Sequence, residues 1–333
     1  MFAEKYRRIV APAGRAGTPV IDTENCKGCG YCVQICPLGA LEIEGKKSKA
    51  VPSMTMGGEV SPACFTCRDC EAVCPEGAIK VGGAIVINEG LYRSTLPDRL
   101  IRPPEPLGAG KAFKDVVDDL TEVEKVIYRR RSNRIFKKDP LPRELIERVL
   151  EAGRYAPSAG NCQPVRYIAI DDRARINEIR DGIMPLLKML SQSYRAKNPV
   201  ARALLSLYGM RKPEDMDIRP IYAIRAMYEG KTKHDLFHNA PVLILVLGDT
   251  RGVGNYSLDC GIAAQNLVLT AHALGLGTCY VGFIKILNGN RKLKKKLGIK
   301  WPYRVITSIA MGYPKVSQDR EVERKKSPIT WLG

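Results

Sequence analysis

The sequence predicts an α+β chain of two domains, and three observations carry that prediction. Eight of the 11 cysteines crowd into positions 26–74 as two copies of one spacing. Residues 88–110 hold Pro97, Pro103, Pro104, Pro106, Gly108 and Gly110, a composition that interrupts regular structure and marks a linker. Beyond residue 120, helical and strand-like segments mix without the strict alternation of a doubly wound sheet. The expected division is 1–87, a linker over 88–120, and 121–333. A chain of 333 residues is long enough for two cores of ordinary size.

The cysteine ladders are Cys26-x2-Cys29-x2-Cys32-x3-Cys36-Pro37 and Cys64-x2-Cys67-x2-Cys70-x3-Cys74-Pro75. Steps of x2 let one tight loop reach three corners of an iron–sulfur cube. The fourth cysteine, after x3, is carried towards the other cube. This spacing assigns Cys26, Cys29, Cys32 and Cys74 to one [4Fe–4S] cluster, and Cys64, Cys67, Cys70 and Cys36 to a second. Gly39-Ala40-Leu41 matches Gly77-Ala78-Ile79, so the segment is a duplication with a period of 38 residues. Structural zinc sites use separated Cys pairs, and disulfide frameworks belong to small secreted chains; neither matches triple-plus-one runs. Across residues 1–87 the chain resembles a bacterial-type two-cluster ferredoxin. Such a module moves electrons singly and does no substrate chemistry, so the rest of the chain must hold the site it feeds.

Hydrophobic content of 45% and charged content of 26% are ordinary for a globular protein. No apolar run reaches the length of a membrane helix. The longest, 242–247, is bounded by Pro241 and Asp249 and predicts a buried strand. Lys5, Arg7 and Arg8 are not followed by the apolar core of a signal peptide, so the expectation is a cytoplasmic protein of an organism living with little oxygen. Residues 1–120 hold 15 basic and 15 acidic side chains, so the net charge of +18 lies wholly in 121–333. No nucleic-acid-binding signature accompanies this excess. An anionic cofactor, an anionic substrate or an acidic donor protein accounts for a basic face, and so does a solvated surface without function.

Residues 1–20 read as a basic arm, with a first short strand at 20–22, a loop at 46–58 and closing strand residues at 78–87. In 121–131, Val123, Val126 and Ile127 have helical spacing. A second helix starts near Pro142 with Leu145, Ile146, Val149 and Leu150 on one face. A turn-rich loop at 157–164 leads to a strand at 165–170. Residues 174–230 read as helical and Met-rich, either plain core or an adaptable lid over a pocket. A central strand at 241–247 precedes a long helix at 257–274. A further strand follows Gly275, and another spans 305–311. His234 and His238 share a helical spacing but lack the third ligand a metal needs, and His272 reads as a core histidine. Cys162, Cys260 and Cys279 read as small hydrophobes, with a redox role as the alternative for Cys162. No Gly-x-Gly-x-x-Gly follows a strand, so a Rossmann nicotinamide site is not expected.

One ordered set of motifs runs through 121–333. It comprises Arg130-x-Ser132-x-Arg134, Pro157-Ser158-Ala159-Gly160-Asn161-x-Gln163-Pro164, Asp259 to Leu267, Gly275-Leu276-Gly277-Thr278, Gly282, and Met311-Gly312-Tyr313-Pro314. Together they resemble the nitroreductase family of FMN-binding flavoproteins. The resemblance implies an α+β nitroreductase-type domain and a homodimer with FMN in the interface. It places Arg130, Ser132, Arg134, Arg324 and Lys326 on the FMN phosphate, where guanidinium forks suit phosphate oxygens. It has Pro157, Ser158, Asn161 and Gln163 reach the flavin from the partner subunit, and puts backbone groups at Val281 and Gly282 beside flavin N5. It assigns no catalytic side chain. The expected activity takes electrons from an external donor, ferredoxin or a nicotinamide, through the clusters to FMN and on to a small organic acceptor. That acceptor is a nitro compound, a quinone or an activated alkene. Substrate oxidation with ferredoxin as acceptor, and a non-enzymatic carrier or redox sensor, are the alternatives. Neither nucleic acid nor a membrane is an expected partner.

Overall fold

The structure is a computed structural model. It describes residues 14–15, 18–51, 55–56, 59–60, 64, 67–82, 86–87, 100–101, 115–195, 219–251, 254–318, 322, 324–325 and 330–333. Contacts divide the chain into two units: Met1–Arg129 with Ser191–Lys233 and Gln318–Gly333, and Arg130–Leu190 with His234–Ser317.

In the first unit, β1 (Thr18–Ile21), α1 (Tyr31–Ile35), β2 (Leu41–Glu44), β3 (Lys47–Ala50), α2 (Asp69–Val73) and β4 (Ile79–Gly82) follow in order. β1 pairs with β4, and β2 with β3, both antiparallel. The first strand begins at Thr18, ahead of the expected 20–22, and within the expected arm Gly14–Arg15 pairs with Val86–Ile87; residues 1–13, 16 and 17 lie outside the described residues.

The duplication is written into the backbone. The helices α1 and α2 start 38 residues apart, and so do β2 and β4. Gly30 and Arg68 precede the two helices in the left-handed region, at φ 76° and 60°. Cys36 and Cys74 end them at φ −74°, ψ 112° and φ −77°, ψ 112°. Gly39 and Gly77 turn the chain at φ 62° and 65°. A five-residue helix does not persist alone in water. Tertiary burial holds these two: Ile35, Leu38, Ala40 and Leu41 in one half, and Ala72, Val73, Ala78 and Ile79 in the other, are each no more than 4% exposed. Arg68 bears a left-handed conformation that costs a non-glycine residue about 1–2 kcal/mol, and its guanidinium stands 3.7 Å from the buried Glu71 carboxylate.

Further along come α3 (Glu122–Arg129), α4 (Arg143–Arg154), β5 (Val165–Ile170), α5 (Arg173–Arg195), α6 (Arg219–Tyr228), β6 (Val242–Asp249), α7 (Tyr256–Ala273), β7 (Gly277–Tyr280), α8 (Arg291–Lys296) and β8 (Tyr303–Gly312). The second unit is built on one antiparallel sheet in the order β5-β6-β8-β7. This is the α+β class expected.

β6 is the centre of that sheet. Val242, Ile244 and Val246 face Ile146 and Val149 of α4 and Ala264, Leu267 and Val268 of α7. Leu243, Leu245 and Leu247, on the opposite face, are fully buried too. Both faces are therefore dry, which explains why the strand reads as a continuous apolar run although its sheet is antiparallel. Each such side chain contributes about 1.5–3 kcal/mol on burial.

α7 begins where Asn255 Oδ1 accepts from the amides of Ser257 and Leu258, both at 3.2 Å. These bonds satisfy two donors that a helix start leaves orphaned. Asn255→Ala is expected to cost about 1 kcal/mol, lowering the melting temperature of this unit by roughly 2–4 °C, as thermal unfolding followed by circular dichroism would report. Among the described residues, no helix is long and apolar enough to cross a membrane.

Candidate functional site

Two separate sets of sulfur atoms form in the first unit. Cys26, Cys29, Cys32 and Cys74 line one cavity, together with Gly28 and Ser48. Gly28 is required there: its φ is 67°, and a Cβ would lie 2.0 Å from the Lys46 carbonyl oxygen. Ser48 serves two sulfurs at once. Its amide donates to Cys26 Sγ at 3.4 Å, and its hydroxyl sits 2.9 Å from Cys32 Sγ. Lys47 Nζ donates to the Cys26 carbonyl at 2.7 Å.

The electrostatics follow from these neighbours. Burial opposes ionisation of Cys26, but amide hydrogen bonds from Ser48 and Gly28 and the Lys47 ammonium outweigh it and lower its pKa. Burial raises the pKa of Cys32, the Ser48 hydroxyl offsets this in part, and Cys29 and Cys74 add to the rise. Cys70 is raised far more, first by burial and then by Cys67, Cys64 and Cys36. Cys67, Cys64 and Cys36 are thus near enough to Cys70 to oppose its ionisation, as the expected second set requires.

Thiolates this close and this dry repel one another, so they ionise together only around positive charge. Four thiolates around one cavity, with an amide and a hydroxyl placed on two of their sulfurs, are the donor set an iron–sulfur cluster takes. All 11 cysteines are without a disulfide.

Donors to cluster sulfur favour the reduced, more negative state. Ser48→Ala removes the hydroxyl and keeps the amide. It is expected to lower the potential of the cluster held by Cys26, Cys29, Cys32 and Cys74. A tenfold change in a one-electron equilibrium is about 59 mV, well within reach of an EPR-monitored redox titration.

In the second unit, the stretch Arg130 to Arg134 runs beside β7. Ser132 bridges to Thr278 in parallel, and the Asn133 amide donates to the Thr278 carbonyl at 2.8 Å. Asn133 is buried at 4% exposure, and its Oδ1 accepts from the Ile135 amide at 3.0 Å. Lys137 then bonds Tyr313, and Lys315 bonds Ile135, which stitches the stretch to the chain after β8. Arg130 stands near Tyr280. That phenol is pushed up to about 12 by burial, with Arg130 pulling the other way. Arg134 lies near His238, whose imidazole is held neutral by burial, then by Arg134 and His234. The His234 and His238 rings meet edge to face at 5.2 Å.

Val281 follows directly on β7. Its amide donates to the Ser308 carbonyl at 2.9 Å, and its carbonyl accepts from the Ser308 hydroxyl at 3.0 Å. Gly282 is exposed and opens the 3-10 segment Gly282–Gly289, where the first N–H groups have no helical acceptor. Arg130, Ser132, Arg134, Val281 and Gly282 are thus brought to one edge of the sheet.

The loop with Pro157, Ser158, Asn161 and Gln163 leads instead into β5. Gln163 donates its amide to Ser158 Oγ at 2.9 Å and its side-chain amide to Asn161 Oδ1 at 3.2 Å. Asn161 and Gln163 both have positive φ, 53° and 45°. Hydrogen bonding thereby fixes a loop shape that the residue types alone disfavour. The loop is seated on Gly254, where a Cβ would meet that of Ala159 at 2.3 Å. β5 and β7 are the two outer strands of the four. At about 4.8 Å per strand, they stand roughly 14 Å apart.

Arg324 lies in the strand Arg324–Lys325, paired with Leu100–Ile101. Its side chain and the whole of Lys326 lie outside the described residues. Sequence reasoning missed Ser48, Asn133, Ser308 and His238 as partners of these groups. Asn133 stood inside the Arg130 motif; the others carried no local signal.

Sulfur sets of this kind, joined in one chain to an arginine motif along a sheet edge, belong to oxidoreductases that couple iron–sulfur clusters to a flavin. Comparison with known proteins gives the family. Residues 127–313 match the Nitroreductase family, and residues 25–78 match the 4Fe-4S dicluster domain. The chain belongs to the nitroreductase family and carries a ferredoxin-like module ahead of that domain; FMN and [4Fe–4S] clusters are its cofactors. It is 43% identical over 187 residues to an NADH dehydrogenase of Thermus thermophilus, covering 56% of this chain and 83% of that one. It is 28% identical over 215 residues to 5,6-dimethylbenzimidazole synthase of Rhodospirillum rubrum, covering 61% and 84%. A solved nitroreductase with bound FMN from Desulfitobacterium hafniense aligns with a TM-score of 0.48 at 26% identity, covering 64% of this chain and 100% of that one.

Proposed function

We propose that the protein takes single electrons from an external carrier protein through two [4Fe–4S] clusters and delivers them in pairs, by way of FMN, to a small organic acceptor. The observation that carries this reading is the fusion itself: two sulfur sets and a flavin domain in one chain. The clusters supply one-electron transfer, and FMN joins such steps to the two-electron reduction of a nitro compound, quinone or activated alkene.

The chain's own residues bind and orient. Cys26, Cys29, Cys32 and Cys74 hold one cluster, and Cys64, Cys67, Cys70 and Cys36 the other. Arg130, Ser132 and Arg134, with Arg324 and Lys326, hold the FMN phosphate. Both backbone groups of Val281 are engaged by Ser308, so of Val281 and Gly282 it is Gly282 whose amide would be free to serve flavin N5.

The active form is a homodimer, and sheet geometry supports this. The Pro157 to Gln163 loop enters at the β5 edge and the arginine motif runs along the β7 edge, so one flavin draws its two sets of contacts from two chains. Two exposed apolar side chains stand close by in sequence to the loop and to its contact Gly254: Tyr155 is 81% exposed and Leu258 59%. Such a patch suits the surface of a second copy. The domains run over 1–87 and 121–333 with 88–120 between them, and the cytoplasm of a cell with little oxygen suits the clusters.

Anaerobic mixing with reduced ferredoxin, NADPH and NADH in separate runs tests the direction of flow. Bleaching of cluster and flavin absorbance by ferredoxin alone is the expected result. Bleaching of the flavin by a nicotinamide ahead of the clusters would reverse the direction. The 43% identity to an NADH dehydrogenase favours that second reading, in which the clusters carry electrons out.

A further inference from the structure

We propose that residues 219–233 form a strap that seals the Cys36 side of the first unit. Electrons then come in at the cluster held by Cys26, Cys29, Cys32 and Cys74 and leave from the one held by Cys64, Cys67, Cys70 and Cys36.

The duplication supplies its own control. Two halves with the same backbone differ where the strap lies. Leu38 is 1% exposed, while Glu76, 38 positions later, is exposed. Pro37 is buried and Pro75 is exposed. Ala223 and Ala226 of α6 form one cluster with Leu38 and Ala40, and Cys36 and Met227 pack against it. Small side chains on α6 allow this close approach.

After α6 the chain turns back on itself, with the Lys231 amide bonded to the Ala226 carbonyl at 2.9 Å. It then crosses the Cys36 turn. A Cβ at Gly39 would lie 1.9 Å from the Lys231 carbonyl oxygen. Thr232 Oγ1 donates to the Cys36 carbonyl at 3.4 Å. Of the segment expected to be plain core or a lid over a pocket, the described residues 219–230 lie against the Cys36 turn.

The opposite side is open. Cys29 is exposed, whereas Cys67, its counterpart 38 positions later, is partly covered; the other first-ladder and second-ladder ligands, Cys26 and Cys32 against Cys64 and Cys70, are equally buried. Electron transfer falls off with separation, so a carrier protein reaches the cluster whose ligand lies at the surface. The carrier would lose one electron there, and the cluster beneath the strap would pass one electron to FMN, which takes up two in succession before reducing a two-electron acceptor. The direction rests on the relay reading proposed above. The strap does not, and its test uses no flavin turnover.

Gly39→Ala and Gly77→Ala form a matched pair in the full-length holoprotein. Both force alanine into the same backbone conformation, at φ 62° and 65°, but Gly39→Ala also drives a methyl group into Lys231. Hydrogen exchange by mass spectrometry and EPR-resolved reduction by viologen radical, a one-electron dye, are the readouts. In the unaltered protein the dye is expected to reduce one cluster at least about tenfold faster than the other. The potential shift produced by Ser48→Ala identifies the fast cluster as that of Cys26, Cys29, Cys32 and Cys74. Gly39→Ala is expected to speed exchange in 36–41 and 219–233 together and to bring the slow cluster into the fast phase. Gly77→Ala is expected to leave 219–233 unchanged. Thr232→Val, a milder change, is expected to act in the same direction by about twofold.

Equal effects of the two glycine variants on 219–233 would overturn the strap. So would a fast phase that belongs to the Cys36 cluster. If Gly39→Ala fails to fold, unaltered rates in Thr232→Val with loosened 219–233 exchange would do the same. Loss of the relay reading would show separately, in the ferredoxin and nicotinamide runs.

Discussion

Cys70→Ser is expected to reduce ferredoxin-driven turnover at least about a hundredfold while the flavin stays bound. Loss of an outer partner of a metal ligand already costs about 10–100-fold, and Cys70 is itself a ligand. Its thiol is 8% exposed and stands among Cys67, Cys64 and Cys36. Bound iron would turn this crowding to advantage, because its positive charge would favour the thiolate that burial and the neighbouring sulfurs oppose. A serine hydroxyl ionises far less readily than a thiol, so the site loses both a soft donor and a negative charge. Iron and sulfide content, EPR signal and flavin absorbance report the three parts separately. Turnover that survives with the second cluster absent would mean that electrons reach FMN by another route.

Arg130→Ala is expected to weaken FMN binding by about 1.5–3 kcal/mol, or roughly 10- to 150-fold, the range for hydrogen bonds to charged groups. The stretch that carries Arg130 is pinned through Ser132, Asn133, Lys137 and Lys315. Truncating one side chain therefore leaves the neighbouring contacts in register. Titration of apoprotein into fluorescent FMN gives the affinity. Exposed Arg129, at the end of α3 and outside the phosphate motif, is the control. A generic charge effect would weaken binding equally in Arg129→Ala and would fade with added salt, since screening acts over about 8 Å at physiological ionic strength.

Most of the fold is legible in the sequence where a short-range pattern has one physical cause. The strand at 165–170 is legible because turn residues bound it. The run 242–247 is legible because both of its faces are buried. The cysteine ladders give their own register, since only local spacing is needed to close three corners of a cube. What stays hidden are partners brought together across long separations. Nothing near Ser48 announces that it will face Cys26 and Cys32. Ser308 gives no sign that it will occupy both backbone groups of Val281. The Met-containing stretch at 219–228 shows that a helix has an apolar side, but an amphipathic pattern does not say which core that side joins. Here contacts assign α6 to the first unit, although its sequence position falls inside the second. The arrangement of the candidate flavin residues is hidden for the same reason. Order along the chain does not tell that Arg130 and Asn161 belong to opposite edges of one sheet.

That last arrangement bears on inheritance as well as binding. If each flavin is held by the arginines of one copy and the loop of another, no single gene product owns a whole site. Two alleles, one damaged at Arg130 and the other in the Pro157 to Gln163 loop, would complement each other in the same cell. Each mixed pair would carry one ruined site and one intact site, whereas pairs of either allele alone would carry none.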